Sequence, residues 1–258
     1  MPPDYPHDNM KNELADVHNR EAGKLIKRLV QFLGEPQVDR RLRRYKAILA
    51  RSGAIYREYY LKQRHPWFPA IEEYYRLVRK AKSVHKHLTV ELKALATDAK
   101  KVATLQGSMP DSVRRKYRKD LLDFDHGLNY LFEIHVAWHF LSRGYRLRWY
   151  QSGSGKRPEF LVEAPNLHFN VECKRIGVDV ARKIHRKDFV LLADRLMPLV
   201  QKRRKAGRID VAVKGNLKGV MACTICDRIC DLIDRDVLEG KHEIADAGSV
   251  MLALKGAS

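Results

Sequence analysis

The stretch PEFLVEAPNLHFNVECK, residues 158–174, decides the interpretation of this chain, because polar and apolar side chains alternate in it with a period of two. Successive side chains of an extended strand point to opposite faces. We therefore expect two strands, at about residues 159–163 and 167–175. In the second strand, Phe169, Val171 and Cys173 share an apolar face, so Glu172 and Lys174 project together from the other.

The turn between these strands sets their pairing. If the hairpin closes symmetrically about Pro165-Asn166, Glu159 lies directly opposite Glu172. Opposed Cβ atoms are about 4.5–5.5 Å apart, and two like charges there are destabilising unless neutralised. A divalent cation such as Mg²⁺, which prefers carboxylate oxygens, would neutralise them, and Lys174 could stabilise an attacking hydroxide or a developing phosphate charge. The alternative is a solvated strand face on which Lys174 pairs with a neighbouring carboxylate.

A third acidic residue, Glu133, lies in the centre of YLFEIHVAW, residues 130–138. This segment is apolar on most sides of a helix, where a carboxylate is costly unless it faces a cleft, a cation or a hydrogen-bonding partner. Glu133 is therefore a candidate functional residue. The alternative is an internal ion pair with an arginine of the basic helices.

In the rest of the chain, the spacing of apolar residues is helical at first and becomes a mixture of helical and strand-like spacing in the second part. Residues 1–108 are expected to form a basic all-helical region, and residues 109–258 an α/β domain. Helices are predicted at about residues 9–33, 37–63, 70–105 (one helix or two), from 111, 125–142, 180–205 and 223–238. Strands are predicted at about residues 145–151, 159–163, 167–175 and 209–213, with a further apolar run at 250–254.

Composition bounds the function. The chain has 258 residues, of which 45% are hydrophobic, and 50 Lys and Arg against 31 Asp and Glu give a formal charge of +19. Nucleic acid is the first expected partner of such a charge, ahead of an anionic membrane surface. Neither a secretory signal nor an apolar run of spanning length is present, and the four cysteines do not suggest a disulfide framework. We expect a soluble cytoplasmic protein.

Two weaker motifs are set aside. Residues 151–156, QSGSGK, suggest a phosphate loop, but Tyr150 stands where glycine is required and no helix follows. Cys223, Cys226 and Cys230 suggest zinc, but they have helical spacing and lack a second matched pair, so a packed helix face is favoured.

A helix carrying Glu133 and ending in SRGY, then a strand, then RPEFLVE and FNVECKR, resembles the PD-(D/E)xK nuclease superfamily. By position, Glu133 matches the helical Glu, Glu159 the acidic residue of the Pro-Asp pair, and Glu172-Cys173-Lys174 the Glu-x-Lys. The resemblance implies a restriction-endonuclease-like α-β-β-β-α-β core with a mixed sheet. It implies Mg²⁺ or Mn²⁺ on Glu133, Glu159 and Glu172, and hydrolysis of phosphodiester bonds with Lys174 assisting the attacking water.

The expected substrate is nucleic acid, with DNA preferred over RNA because most proteins of this superfamily cut DNA. The residues expected to contact it are Lys156, Arg157, Arg175, Lys202, Arg203 and Arg204. His168 is a weaker candidate for lining the cleft, and a homo-oligomer is left open. Because Glu159 replaces the usual Asp, one alternative is a nuclease-like nucleic-acid-binding module with impaired catalysis. The other is a helical scaffold protein.

Overall fold

The computed structural model describes residues 17–150, 158–165, 167–175, 185–215, 217, 219–244 and 246–256. The protein is a mixed α/β chain that divides into two compact units. The first contains Met1–Ile48 and Arg64–Arg175, and the second contains Leu49–Gln63 and Ile176–Ser258. The boundary predicted at residue 108 lies within the first unit.

Helices dominate the first unit. They are α1 (Ala22–Leu33), α2 (Glu35–Arg51), α3 (Trp67–Arg79), α4 (Val90–Leu105), α5 (Asp111–Asp120) and α6 (Gly127–Ser142), with 3₁₀ turns at Asn19–Glu21 and Val84–His87. The last three residues of α2 belong to the second unit. Residues 17–108 are helical with no strand, as predicted for this region.

Two of the predicted helices are interrupted. The one expected over residues 37–63 breaks at Gly53, whose backbone is extended, and resumes as Ala54–Tyr56, a π-helical turn Arg57–Leu61 and Lys62–Arg64. The one expected over residues 70–105 is two helices. Thr89 begins the second of them, because its hydroxyl accepts a hydrogen bond from the Leu92 N–H at 3.3 Å.

The core of the first unit forms where α4 packs against α1, α3 and α6. His65 lies in this core with 1% of its surface exposed, beside the ring of Phe68 at 4.8 Å. Its Nε2 donates to the Leu121 carbonyl at 2.8 Å, and its Nδ1 finds no partner among the described residues. A Cβ at Gly127 would lie 2.4 Å from that Nε2, so glycine lets α6 begin against the imidazole.

The sheet of the first unit is an antiparallel meander of β1 (Arg146–Trp149), β2 (Phe160–Ala164) and β3 (Leu167–Val171). Phe160 pairs with Val171 and Ala164 with Leu167, which is the register predicted from closure about Pro165-Asn166. Phe160 and Val162 are fully buried on the face towards the core, as the alternation predicted.

The second unit contains α7 (Arg186–Lys202), β4 (Lys205–Val213), α8 (Gly219–Asp234), β5 (Glu239–Ile244) and β6 (Gly248–Gly256). Its strands form an antiparallel sheet in the order β4-β6-β5. Val250, Leu252 and Leu254 alternate on the buried face of the central strand, β6, and pack in one core with α7 and α8. Among the described residues, no helix combines the length and apolar character needed to cross a bilayer.

The single mixed sheet expected from the resemblance is not what the described residues form. Every strand pair is antiparallel, and the strands make two separate three-stranded sheets. The reason is that β4 pairs along its whole length with β6, for example Ile209 with Leu252, and not with the meander. Strand β5 was not predicted, since EGKHEI is a polar edge sequence with little apolar alternation.

Asp194 of α7 joins the two chain segments of the second unit. Its Oδ1 accepts from the Ile55 N–H at 2.7 Å and its Oδ2 from the Tyr56 N–H at 2.8 Å. These are N–H groups in the first turn of a helical segment, which have no partner within their own helix. A Cβ at Gly53 would lie 2.2 Å from the Asp194 carboxylate, so only glycine leaves room for this cap.

We expect Asp194→Ala to lower the free energy of unfolding by about 2 kcal/mol, because two charge-assisted hydrogen bonds to the helical segment are lost. Urea denaturation measures the difference. Asp227→Ala, at an exposed position of α8, is the matched control and should change stability by less than about 0.5 kcal/mol. Equal losses in the two variants would contradict the capping role.

Candidate active site

Glu133 is a buried carboxylate in the middle of α6, with 7% of its surface exposed. Its Oε2 accepts a hydrogen bond from the Tyr117 hydroxyl of α5 at 2.7 Å. Burial raises the pKa of Glu133, while the Tyr117 hydrogen bond and the charge of Lys116 oppose that rise and the charge of Glu159 adds to it. The hydrogen-bond partner is thus a tyrosine, not the arginine of the alternative interpretation.

Glu159 stands immediately before β2, beyond the last register pair of the hairpin, Phe160 with Val171. Its N–H donates to the Val171 carbonyl at 2.9 Å, and its Oε2 accepts from the Cys173 N–H at 2.7 Å. Burial and then the charge of Glu159 raise the pKa of the Cys173 thiol to about 12, so that thiol is protonated at neutral pH. Since the charge of Glu159 also acts on Glu133, the two carboxylates share one electrostatic environment.

Glu172 and Lys174 follow β3 and are both exposed. The Lys174 Nζ lies 3.2 Å from Glu172 Oε1. An exposed ion pair of this kind contributes at most about 1 kcal/mol to stability, so it does little to hold the fold. The pair therefore remains accessible to an incoming ligand.

The donor set near Glu133 suits a hard cation in its chemistry. Glu133 and Glu159 offer carboxylate oxygens, and a divalent cation near them would offset the repulsion by Glu159 that adds to the raised pKa of Glu133. In the part of the chain that the structure describes, no three His, Cys, Asp or Glu side chains form a group that could hold a metal ion.

Tyr117 is the functional candidate that sequence reasoning missed. It is the one apolar position within RRKYRK, residues 114–119, and its buried ring packs against Trp149 of β1 at 5.6 Å between centroids. Val113, Tyr117 and Leu121 are all buried at a spacing of four, which is the signal that could have found it. Tyr117 contacts the Glu133 carboxylate through its hydroxyl, which makes it a candidate positioning residue for Glu133.

We expect Tyr117→Phe to raise the pKa of Glu133 further, because the hydrogen bond that stabilises the ionised carboxylate is lost. The measurement is a pH titration of the Glu133 carboxyl carbon by NMR. Tyr130→Phe is the control, since it removes a hydroxyl from the ring that meets Tyr117 edge to face. A Glu133 titration that is unchanged in Tyr117→Phe, or shifted equally in both variants, would remove the positioning role.

The residues predicted to contact nucleic acid lie in different parts of the chain. Lys156 and Arg157 lie outside the described residues, and Arg175 is exposed at the end of the first unit. Lys202 and Arg204 belong to the second unit, as does Arg203, whose Nη2 lies 2.5 Å from Asp234 Oδ1. The charge of Arg203 is therefore partly compensated within its own unit.

Two other candidates lie elsewhere. His168 pairs with Glu163 near the turn of the hairpin and lines a cleft with Arg143 and Arg146, at the opposite end of the strands from Glu159.

On α8, Cys223 accepts a hydrogen bond from Arg195 at 3.0 Å, and burial beside Cys230 raises the pKa of Cys226 to about 12. Both thiols at positions 226 and 230 are free.

The chain matches no known protein-family model, no curated protein and no solved structure. The resemblance to the PD-(D/E)xK nucleases accordingly rests on the motif residues and their placement.

Proposed function

We propose that this chain is a metal-dependent nuclease that hydrolyses phosphodiester bonds, preferentially in DNA. One observation carries the proposal. The buried carboxylate of Glu133, on a helix, feels the charge of Glu159, which stands just before a hairpin whose last register pair is Phe160 with Val171, and Glu172 follows Val171 on the other strand. A buried carboxylate with a raised pKa beside a second carboxylate is expensive for the fold and is typical of functional sites.

Each residue has a role in this proposal. Glu133 and Glu159 would offer carboxylate oxygens to Mg²⁺ or Mn²⁺, which when bound supplies Lewis-acid stabilisation of charge on the phosphate. Glu172 would have to move to join them, since these three described side chains do not form a metal-holding group in the structure. Tyr117 holds the Glu133 carboxylate in place through its 2.7 Å hydrogen bond. Lys174 is exposed, and its ammonium would leave Glu172 to orient the attacking water and to stabilise the charge that develops on the phosphate.

The finer fold assignment is part of the proposal. Helix α6 and the meander β1-β2-β3 correspond in order to the first four elements of a restriction-endonuclease-like core. The next two elements in the chain are α7 and β4, which belong to the second unit, where β4 pairs with β6. The proposed nuclease site therefore depends on the first unit alone.

The decisive test incubates the protein with single- and double-stranded DNA and RNA in Mg²⁺, Mn²⁺ or EDTA. We expect cleavage of DNA with either metal and no cleavage with EDTA. Products that appear equally with EDTA, or no cleavage of any substrate with any metal, would reject the metal-dependent nuclease.

A binding module with impaired catalysis is the second candidate, and two contacts favour it. The Glu159 carboxylate is engaged by the Cys173 N–H, and Lys174 is engaged by Glu172. This candidate predicts tight DNA binding with no turnover in any metal. A titration of Mn²⁺, followed by both binding and cleavage, separates the two functions.

A further inference from the structure

A strongly basic pocket lies between α2 and α5 of the first unit, in a cavity of about 500 Å³. Its lining consists of one amide and four cations: Gln37, Arg40, Arg41, Arg44 and Lys119. Gln37 fixes the two helices to each other, because its Nε2 donates to the Arg118 carbonyl at 2.7 Å. We refer to these five residues as the α2–α5 basic pocket.

The helical period separates this charge from the acidic residues of α2. Val38, Leu42 and Tyr45 face the core, while Glu35 and Asp39 line a different groove with Arg43 and Lys46 on the other side of the helix. Within the described residues, no carboxylate lies within ion-pair distance of Arg40, Arg41, Arg44 or Lys119. Their positive potential is therefore not cancelled locally.

The lining also indicates which part of a ligand the pocket would contact. Guanidinium groups present a planar fork that matches phosphate oxygens, and four cations together suit more than one phosphate. Among the described residues that line the pocket there is no aromatic side chain, so it lacks the aromatic surface that binds bases by stacking in single-strand-binding proteins. Contacts of this type hold the backbone and do not depend on base sequence.

We propose that the α2–α5 basic pocket binds successive backbone phosphates of a nucleic-acid strand. This inference rests on the proposed function in one respect, since the strand is taken to be the nuclease substrate. Helix α5 connects the two places: Lys119 lines the pocket, and Tyr117, two residues earlier and on another face of the helix, holds Glu133. A strand held at this pocket would therefore be anchored on the helix that also orders the candidate active site.

The test measures binding of a short fluorescein-labelled DNA duplex by anisotropy with EDTA present, as salt is increased. Arg40→Ala/Arg44→Ala removes two pocket cations. Arg43→Ala/Lys46→Ala is the matched control, with the same change in charge on the same helix but in the other groove. All four positions are exposed, and alanine favours the helix, which circular dichroism would check.

For Arg40→Ala/Arg44→Ala we expect a roughly tenfold weaker affinity for the duplex. The plot of log K against log salt concentration should be less steep by about 2, since two phosphate contacts are lost. The control should change the affinity less than about twofold and leave the slope unaltered. Equal weakening in both variants, or an unchanged slope in the first, would overturn the pocket. The pocket would also be rejected if inorganic tripolyphosphate binds at its residues while DNA binding does not depend on them.

These outcomes are separate from those of the nuclease proposal. If Arg40→Ala/Arg44→Ala makes DNA binding less dependent on salt but the unmodified protein cleaves no substrate, the pocket proposal stands and the nuclease proposal is rejected. If the protein cleaves DNA but the variant binds with an unchanged salt dependence, the nuclease proposal stands and the pocket proposal is rejected.

Discussion

Replacing Glu172 by glutamine, or Lys174 by alanine, is expected to lower the rate of metal-dependent DNA cleavage by roughly 100- to 1000-fold. Glu172→Gln would remove a negative charge that helps to hold the metal. Lys174→Ala would remove the ammonium that stabilises the charge developing on the phosphate. Both side chains are exposed beyond the end of β3, so neither change should disturb packing. Single-turnover cleavage, with the protein in excess over DNA, measures the effect on the chemical step.

Glu163→Gln is the matched control for the glutamate variant. Glu163 lies on β2, where it pairs with His168 and its Oε1 is 3.6 Å from the Arg148 Nε, away from Glu159. It should cleave at close to the unmodified rate. If Glu172→Gln and Lys174→Ala cleaved as fast as Glu163→Gln, these residues would have no catalytic role and the exposed ion pair would be only a surface contact.

Acid should destabilise the first unit through His65. Burial lowers the pKa of His65 from its ordinary value of 6.5 to about 4, because the imidazolium would have to form without water. The unfolded chain binds the proton more readily than the folded one. With respect to His65, the free energy of unfolding therefore has its full value above pH 6.5 and decreases as the pH falls towards 4. The loss amounts to about 3 kcal/mol.

The variant His65→Gln isolates this contribution. Glutamine can still donate to the Leu121 carbonyl but does not titrate, so the free energy of unfolding should depend less on pH between 4 and 6, by up to about 1.4 kcal/mol per pH unit. His87→Gln, at an exposed position, should keep the original pH dependence. Urea denaturation across this pH range decides. A pH dependence that His65→Gln leaves intact would assign the acid sensitivity to other groups.

Local patterns were enough to predict the hairpin. Alternation of apolar residues, with Pro165 at the turn, predicted the register that pairs Phe160 with Val171. The burial of Glu133 followed from the apolar residues around it on a helix. Both inferences needed only residues close together in the chain.

Long-range partners could not be predicted in this way. The order of strands along the chain does not determine which strands pair. The resemblance implied one mixed sheet, whereas β4 pairs antiparallel with β6 in a sheet of its own unit. Nor does any local pattern connect Asp194 with Ile55, because the two are 139 positions apart in the sequence. Tyr117 was overlooked for a simpler reason: the five cations around it dominate the pattern of its segment.

The carboxylate of Asp194 also imposes an order on the biosynthesis of the protein. Residues 49–63 leave the ribosome early, but the side chain that caps Ala54–Tyr56 is made much later. Until then the nascent chain must carry this helical segment as an uncapped insertion within a partly synthesised first unit. A recombinant fragment beginning at residue 109 would never receive the segment, and its Asp194 would face two missing donors.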